Sequence, residues 1–228
     1  MSKINLSKYA LERLKERERH ILTPGPVITI SREYGCPSKI IAEMLTKKIN
    51  ELTHKKKWNW ISKDILEDSA KKLGMTPREI KYVFEYKEHT IVDEILAAQA
   101  KRYYYHSERT IRKTIGEVIR ATGMEGYVVI VGRAGVVLTR DIEASLHIRL
   151  TAPQRWRVVH VSKNHNIPFD KACKIVRDLD SKRKKFIEYY LRNPMDHSIF
   201  DILYNCSTMS KEMIVQSVID MARQKKLI

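Results

Sequence analysis

Five short runs of β-branched and aliphatic residues, separated by longer segments of helical period, constrain the fold of this chain more than any other feature. "VITI" (27–30) and the start of "YVVIVGRAG" (127–135) are apolar at successive positions instead of alternating. A strand wetted on one face alternates with period two, whereas a strand buried on both faces is apolar throughout. Further runs lie at Trp58–Ile61, in "ASLHIRLTAP" (144–153) and in "FDILYNCS" (200–207). Helical periodicity occupies 38–53, then 77–121 with breaks, 154–192 and 210–226. Strands alternating with helices over the whole length predict an α/β fold, a parallel sheet covered on both faces.

The 228 residues suffice for one domain with a sizeable core, and a hydrophobic share of 43% is ordinary for a folded chain. No apolar run approaches a membrane span, and the N-terminus is charged and helical, so neither a signal peptide nor a membrane partner is expected. Cys36, Cys173 and Cys206 lack CxxC or Cys/His spacing. No zinc site or disulfide framework is expected, no metal ligand is assigned, and a reducing, cytoplasmic location is the expectation. The net charge of +16 attracts polyanions without choosing among nucleic acid, anionic lipid and phosphorylated small molecules.

Residues 1–24 read as a basic amphipathic helix closed by "TPGP" (23–26), and 25–228 as one α/β domain. Thr76, Pro77 and Glu79 have the order of a helix start with a capping box, and "TGMEG" (122–126) stops the helical stretch. Ser210 is the expected cap of the last helix. The helical regions of about 62–122 and 154–192 are expected as insertions at the substrate end of the sheet.

In an open α/β sheet the ligand sits beyond the carboxyl ends of the strands. Three features point there. The first is the loop Ser31, Arg32, Gly35, Cys36, Pro37, Ser38, Lys39, Ile40 between strand and helix. Its amides and the helix N-terminus favour an anion whatever the side chains, and Lys39 adds a full charge. Strand, glycine loop, lysine and helix is the order of a phosphate-binding P-loop. G-x-x-x-x-G-K-[ST] itself is absent: Glu33, Ser38 and Ile40 stand at the two glycines and the hydroxyl. The second is Gly132-Arg133, where glycine permits close backbone approach and a guanidinium could grip a phosphate in bidentate fashion. The third is Arg177, Asp180 and Arg183, at i, i+3 and i+6 of one helix, a row suited to polyphosphate charge and equally to a solvated salt-bridged helix.

In this order the segments "ITISREYGCPSKIIAEMLTKKI", "WNWISKDILED", "YVVIVGRAG", "LHIRLTAPQRWRVV", "IVRDLDSKRKKF" and "FDILYNCS" resemble the cytidylate kinase-like proteins, relatives of bacterial CMP kinase within the nucleoside monophosphate kinases. The resemblance runs from about Val27 to the C-terminus. It implies a P-loop kinase fold: a five-stranded parallel sheet flanked by helices, a helical NMP-binding insertion and a mobile lid. It implies phosphoryl transfer from ATP, with Mg²⁺, to a pyrimidine nucleoside monophosphate. Residues 32–39 would hold donor phosphates, and Arg112, Gly132 and Arg133 the acceptor. Arg157, Arg177, Asp180 and Arg183 would belong to lid and substrate pocket, with Lys39, Arg177, Asp180 and Arg183 the catalytic set. Several positions depart from the family. Ile40 replaces the metal-binding hydroxyl, Pro37 and Ser38 replace glycines, and Ala134 replaces an aspartate. Ser62 and Lys63 stand where an acidic residue belongs, so a cytidine-reading set is incomplete. Mg²⁺ is therefore expected to be held through water and phosphates.

Two other readings stay open. Ile40 and Ala134 suit a non-catalytic nucleotide or phosphate sensor. The charge and "KRYYYHSER" (101–109) suit nucleic acid, the less favoured partner because no nucleic-acid motif accompanies them. The Tyr triplet equally suits a homodimer interface.

Overall fold

The computed structural model describes residues 24–53, 57–62, 67, 71 and 108–228. The expected N-terminal helix, the start at Thr76, Pro77 and Glu79, and all but the last residues of "KRYYYHSER" lie outside the described residues.

The strands are β1 (Val27–Arg32), β2 (Asn59–Ile61), β3 (Val128–Val131), β4 (Ser145–Thr151) and β5 (Ile202–Asn205). The helices are α1 (Ser38–Leu52), α2 (Glu108–Glu125), the single turn α3 (Gly135–Leu138), α4 (Gln154–His165), α5 (Phe169–Leu191) and α6 (Lys211–Gln224). Every strand pair is parallel, and the order across the sheet is β2-β3-β1-β4-β5. β1 is central, with Val27 level with Val128 on one side and Ser145 on the other.

The unbroken apolar runs have a direct cause, since both faces of the sheet are covered. Ile28, Ile30, Val129 and Val131 enter one layer with Ile41, Leu45, Ile49, Ile214 and Val218 of α1 and α6. Their chain neighbours Val27, Val128 and Ile130 enter the other layer, with Ile111, Ile115 and Ile119 of α2 and Phe186 and Ile187 of α5. Successive strand residues point to opposite faces, so each layer takes every second one.

Local signals end the elements where the sequence places them. Gly126, at φ +71°, follows the last residue of α2. The Ser210 hydroxyl accepts the Met213 amide at 3.2 Å and caps α6. The basic stretch 154–192 is two helices, α4 and α5, broken at left-handed Asn166. A small cluster of Val158, Val161, Ala172 and Val176 joins them.

Candidate phosphate-binding site

β1 ends at Arg32 in the middle of the sheet, so the loop that follows lies between the carboxyl ends of β3 and β4. The Glu33 amide still donates to Leu150 O of β4 at 3.0 Å. The chain then turns through Gly35, the loop residue with positive φ, +96°. A Cβ at Gly35 would come within 3.0–3.3 Å of Arg157 on α4, so glycine is needed both for the turn and for close packing. Pro37 and Ser38 carry no strain of this kind: Pro37 has φ −81° and Ser38 begins α1. The helix has no acidic residue in its first turn and no side-chain cap at Pro37. Its positive end therefore carries no compensating side-chain charge, the condition that favours an anion there. Lys39 and Ile40 are both exposed on that turn.

On one side of the loop is a cavity of about 210 Å³ lined by Ser31, Arg32, Gly132, Arg133, Lys182 and Arg183 among others. Gly132, Arg133 and Ala134 have φ of +77°, +58° and +54°. Three successive left-handed residues turn the chain under the Arg32 guanidinium. A Cβ on Gly132 would lie 1.6 Å from Nη1 of Arg32, so this glycine makes the room that the guanidinium occupies. Burial, with Arg183 and Arg133 nearby, pushes Arg32 down from its ordinary value to about 9. Burial, with Arg183, pushes Arg133 to about 10. Burial also lowers Arg183, against the opposing effect of Asp180. Guanidinium groups stay protonated near neutrality. Burial is the largest cause of all three shifts, with neighbouring guanidinium groups adding to it at Arg32 and Arg133, so the cavity gathers desolvated positive charge.

A second network fastens the loop to the basic helices. Asp180 of α5 accepts the Tyr34 amide at 2.6 Å and Nη1 of Arg157 at 2.5 Å. Nε of Arg157 lies 3.2 Å from Glu33 and donates to Ala152 O at 2.9 Å. Glu33 also accepts the Thr151 hydroxyl at 2.7 Å. Nη1 of Arg183 reaches Arg32 O at 3.4 Å, with its guanidinium 5.2 Å from the centre of the Tyr34 ring.

On the other side of the loop lies a cavity of about 510 Å³. Gly35, Cys36, Pro37 and Ile40 form one wall, with Trp156 and His160 of α4 opposite. The two rings stack with centroids 3.7 Å apart and planes at 27°.

The structure thus brings Ser31, Arg32, Gly132, Arg133 and Arg183 together at the cationic cavity, and Gly35, Cys36, Pro37 and Ile40 at the aromatic one. Ser38 is buried at the start of α1 and Lys39 is exposed beside it. Arg157 and Asp180 join each other and the loop. Arg112 is buried behind the cationic cavity, 5.5 Å from the Phe186 ring and 4.6 Å from that of Tyr189. Arg177 is not gathered with them; it is exposed on α5 and donates to Cys173 Sγ at 3.1 Å. Sequence reasoning did not single out Tyr34, Thr151, Trp156, His160 or Lys182, and saw Glu33 only as a replaced glycine. Glu33 did carry a signal, a carboxylate in an otherwise cationic loop, which needs a buried basic partner.

A loop with the strand–glycine–helix order of a P-loop at the centre of a parallel sheet, flanked by a cationic and an aromatic cavity, is the arrangement of a nucleotide-kinase-like α/β protein. The sequence matches the cytidylate kinase-like family over residues 27–208, and the chain belongs to that family. It is 30% identical over 201 residues to the cytidylate kinase of Methanocaldococcus jannaschii, covering 85% of this chain and 97% of that one. It is also 30% identical over 104 residues to the cytidylate kinase of Sulfurisphaera tokodaii. A similar match, 34% over 104 residues, links it to the enzyme of Desulfurococcus amylolyticus. The last two matches cover 45% and 43% of this chain but 57% and 55% of those proteins, little more than half their length. Among solved structures, an uncharacterised protein from Eubacterium ventriosum shares the fold, with a TM-score of 0.63 and 16% identity over 87% of this chain and 98% of that one.

The family brings the expectation of ATP and Mg²⁺. The loop, the bare end of α1 and the two cavities fit a nucleotide polyphosphate. The described residues do not fit a protein-held Mg²⁺. Ile40 is 49% exposed at the hydroxyl position. Glu33 and Asp180 are committed to Arg157 and to the backbone. Among the described residues no group of three or more His, Cys, Asp or Glu could hold a metal ion. No helix among them is long and apolar enough to cross a membrane.

Proposed function

We propose that this protein is an ATP-dependent nucleoside monophosphate kinase-like transferase. Its acceptor is a pyrimidine nucleoside monophosphate of the CMP or dCMP kind, or another small phosphorylated compound. The observation that carries the reading is the convergence of Arg32, Arg133 and Arg183 on one cavity beside a phosphate-type loop. In this reading the donor phosphates lie over residues 32–39, held by loop amides, the end of α1 and Lys39. The donor base takes the aromatic cavity against Trp156. The acceptor phosphate enters the cationic cavity on Arg133 and Arg32.

Arg183 lines the cationic cavity beside Tyr34 and neutralises charge on the group in transit, while Asp180 positions the lid against the loop. Phosphoryl transfer proceeds largely by positioning and electrostatic stabilisation, so no general base need be found in the chain. Arg177 is exposed here and enters the catalytic set by lid movement. Mg²⁺ would be held mainly through nucleotide phosphates and water, since the described residues offer no group of ligands for it. Residues 154–192 act as the lid. The mapped set is cytoplasmic and works on free nucleotides.

A coupled assay with ATP and a panel of CMP, dCMP, UMP and AMP tests this at micromolar protein. ADP release that depends on the acceptor and is lost in Arg133→Ala supports the kinase. Ile40 favours the sensor as second reading. Calorimetric ATP binding without turnover of any acceptor would establish that reading in place of the kinase.

A further inference from the structure

Cys36 and Cys206 lie 170 positions apart in the chain yet meet at the phosphate loop. Both line the aromatic cavity, and Cys36 packs on the apolar cluster that holds Cys206. Backbone and side-chain bonds bring them there. The Cys36 amide donates to Glu33 O at 3.3 Å, and the Glu33 carboxylate accepts the Thr151 hydroxyl at 2.7 Å. Thr151 O in turn accepts the Cys206 amide at 2.8 Å. The neighbouring Cys206 and burial push the Cys36 thiol up, and the neighbouring Cys36 draws the Cys206 thiol down. Cys173, the third cysteine, packs instead on the small cluster between α4 and α5, beside Arg177.

We propose that Cys36 and Cys206 form a reversible dithiol–disulfide pair, oxidised by a hydroperoxide, that clamps the phosphate loop to the end of β5. The Cys206 thiolate attacks one peroxide oxygen, an S–O bond forms and the O–O bond breaks. The departing hydroxide takes the Cys36 proton and leaves as water. The Cys36 thiolate then attacks Cys206 Sγ, an S–S bond forms and the S–O bond breaks. The second hydroxide takes up the proton that Cys206 had released and becomes water. The two sulfurs lose two electrons in all and the two peroxide oxygens gain them. The bond requires Cβ atoms about 3.5–4.5 Å apart. It therefore holds Cys36, and with it the turn at Gly35, in one place. The effect on nucleotide rests on the reading of this loop as the donor-phosphate cradle.

The experiment treats the full chain, in wild-type and Cys173→Ser forms, with stoichiometric hydrogen peroxide. Intact mass and peptide mapping should show loss of two hydrogens and a Cys36–Cys206 linked peptide, reversed by dithiothreitol. Cys36→Ser should abolish the link while keeping the buried Cys206 in place. Hydrogen exchange of residues 33–41 should slow on oxidation, and ATP affinity by calorimetry should fall at least about tenfold and recover on reduction. Oxidation to sulfinic or sulfonic acid without the link, a link through Cys173, or unchanged exchange in 33–41 would each overturn the clamp. If the link forms and exchange slows but ATP binds neither form, the clamp stands and the nucleotide reading is what fails.

Discussion

Gly132 sets the geometry of the cationic cavity one atom at a time. At φ +77°, with Nη1 of Arg32 lying 1.6 Å from where a Cβ would be, even alanine forces Arg32 away. Gly132→Ala should cost more than about 1 kcal/mol in urea unfolding, the penalty for alanine where φ is positive, and should weaken phosphate binding in parallel. Lys39 is the converse case under the proposed function, a charge for the ligand and not for the fold. Lys39→Ala removes a charge-assisted contact of roughly 1.5–3 kcal/mol, about ten- to a hundredfold in ATP affinity by calorimetry. The unfolding midpoint should hardly move, since Lys39 is exposed at the start of α1. Equal ATP binding by wild type and Lys39→Ala would remove this loop from consideration as the phosphate site. Ile40, 49% exposed, leaves room for Ile40→Thr to supply the missing hydroxyl and tighten Mg²⁺-ATP more than ATP alone.

At the scale of elements, α4 and α5 are held on the loop chiefly by Arg157, whose side chain is 7% exposed between Glu33 and Asp180. Arg157→Met removes the shared cation from Glu33 and Asp180, which keep the Thr151 hydroxyl and the Tyr34 amide, so it should destabilise by about 1–3 kcal/mol in chemical denaturation. Asp180→Asn keeps the shape and loses the charge. It should speed hydrogen exchange in residues 33–41 and in α4 while leaving β3 unchanged. The two helices are joined to each other through only a small buried cluster, whereas Val128–Val131 are all buried in the sheet. Exchange across 154–191 should accordingly be faster than in β3, as a lid requires. Equally slow exchange in both would mean that these helices do not open.

For the molecule as a whole, both sheet faces and one buried imidazole set the stability. His147 hydrogen-bonds Thr29 through Nδ1 at 2.8 Å, with Asp201 and Lys225 the charged groups near it. Burial pushes it down to about 4, against the raising effect of Asp201. The unfolded chain therefore binds the proton more readily than the folded one. The contribution is complete above about pH 6.5 and declines as pH falls toward about 4, by up to ~1.4 kcal/mol per pH unit. Unfolding free energies measured across that window should show this slope and lose it in His147→Gln. Ile115, fully buried against the second face, offers a check on the core: Ile115→Ala should cost about 2–5 kcal/mol without altering ATP affinity.

The sequence by itself determined the elements. Unbroken β-branched runs meant strands covered on both faces, and Ser210 meant a capped helix. These are local properties, expressed within a few residues through periodicity, φ preference and orphan backbone donors. Only the tertiary structure decided the company each residue keeps. Arg32, Arg133 and Arg183 converge because β1 lies beside β3 and because Asp180 ties α5 to the loop. Cys36 and Cys206 meet because β4 separates β1 from β5 by a single strand. Strand order and register arise from the summed packing of residues a hundred positions apart, and no short window of sequence contains that sum.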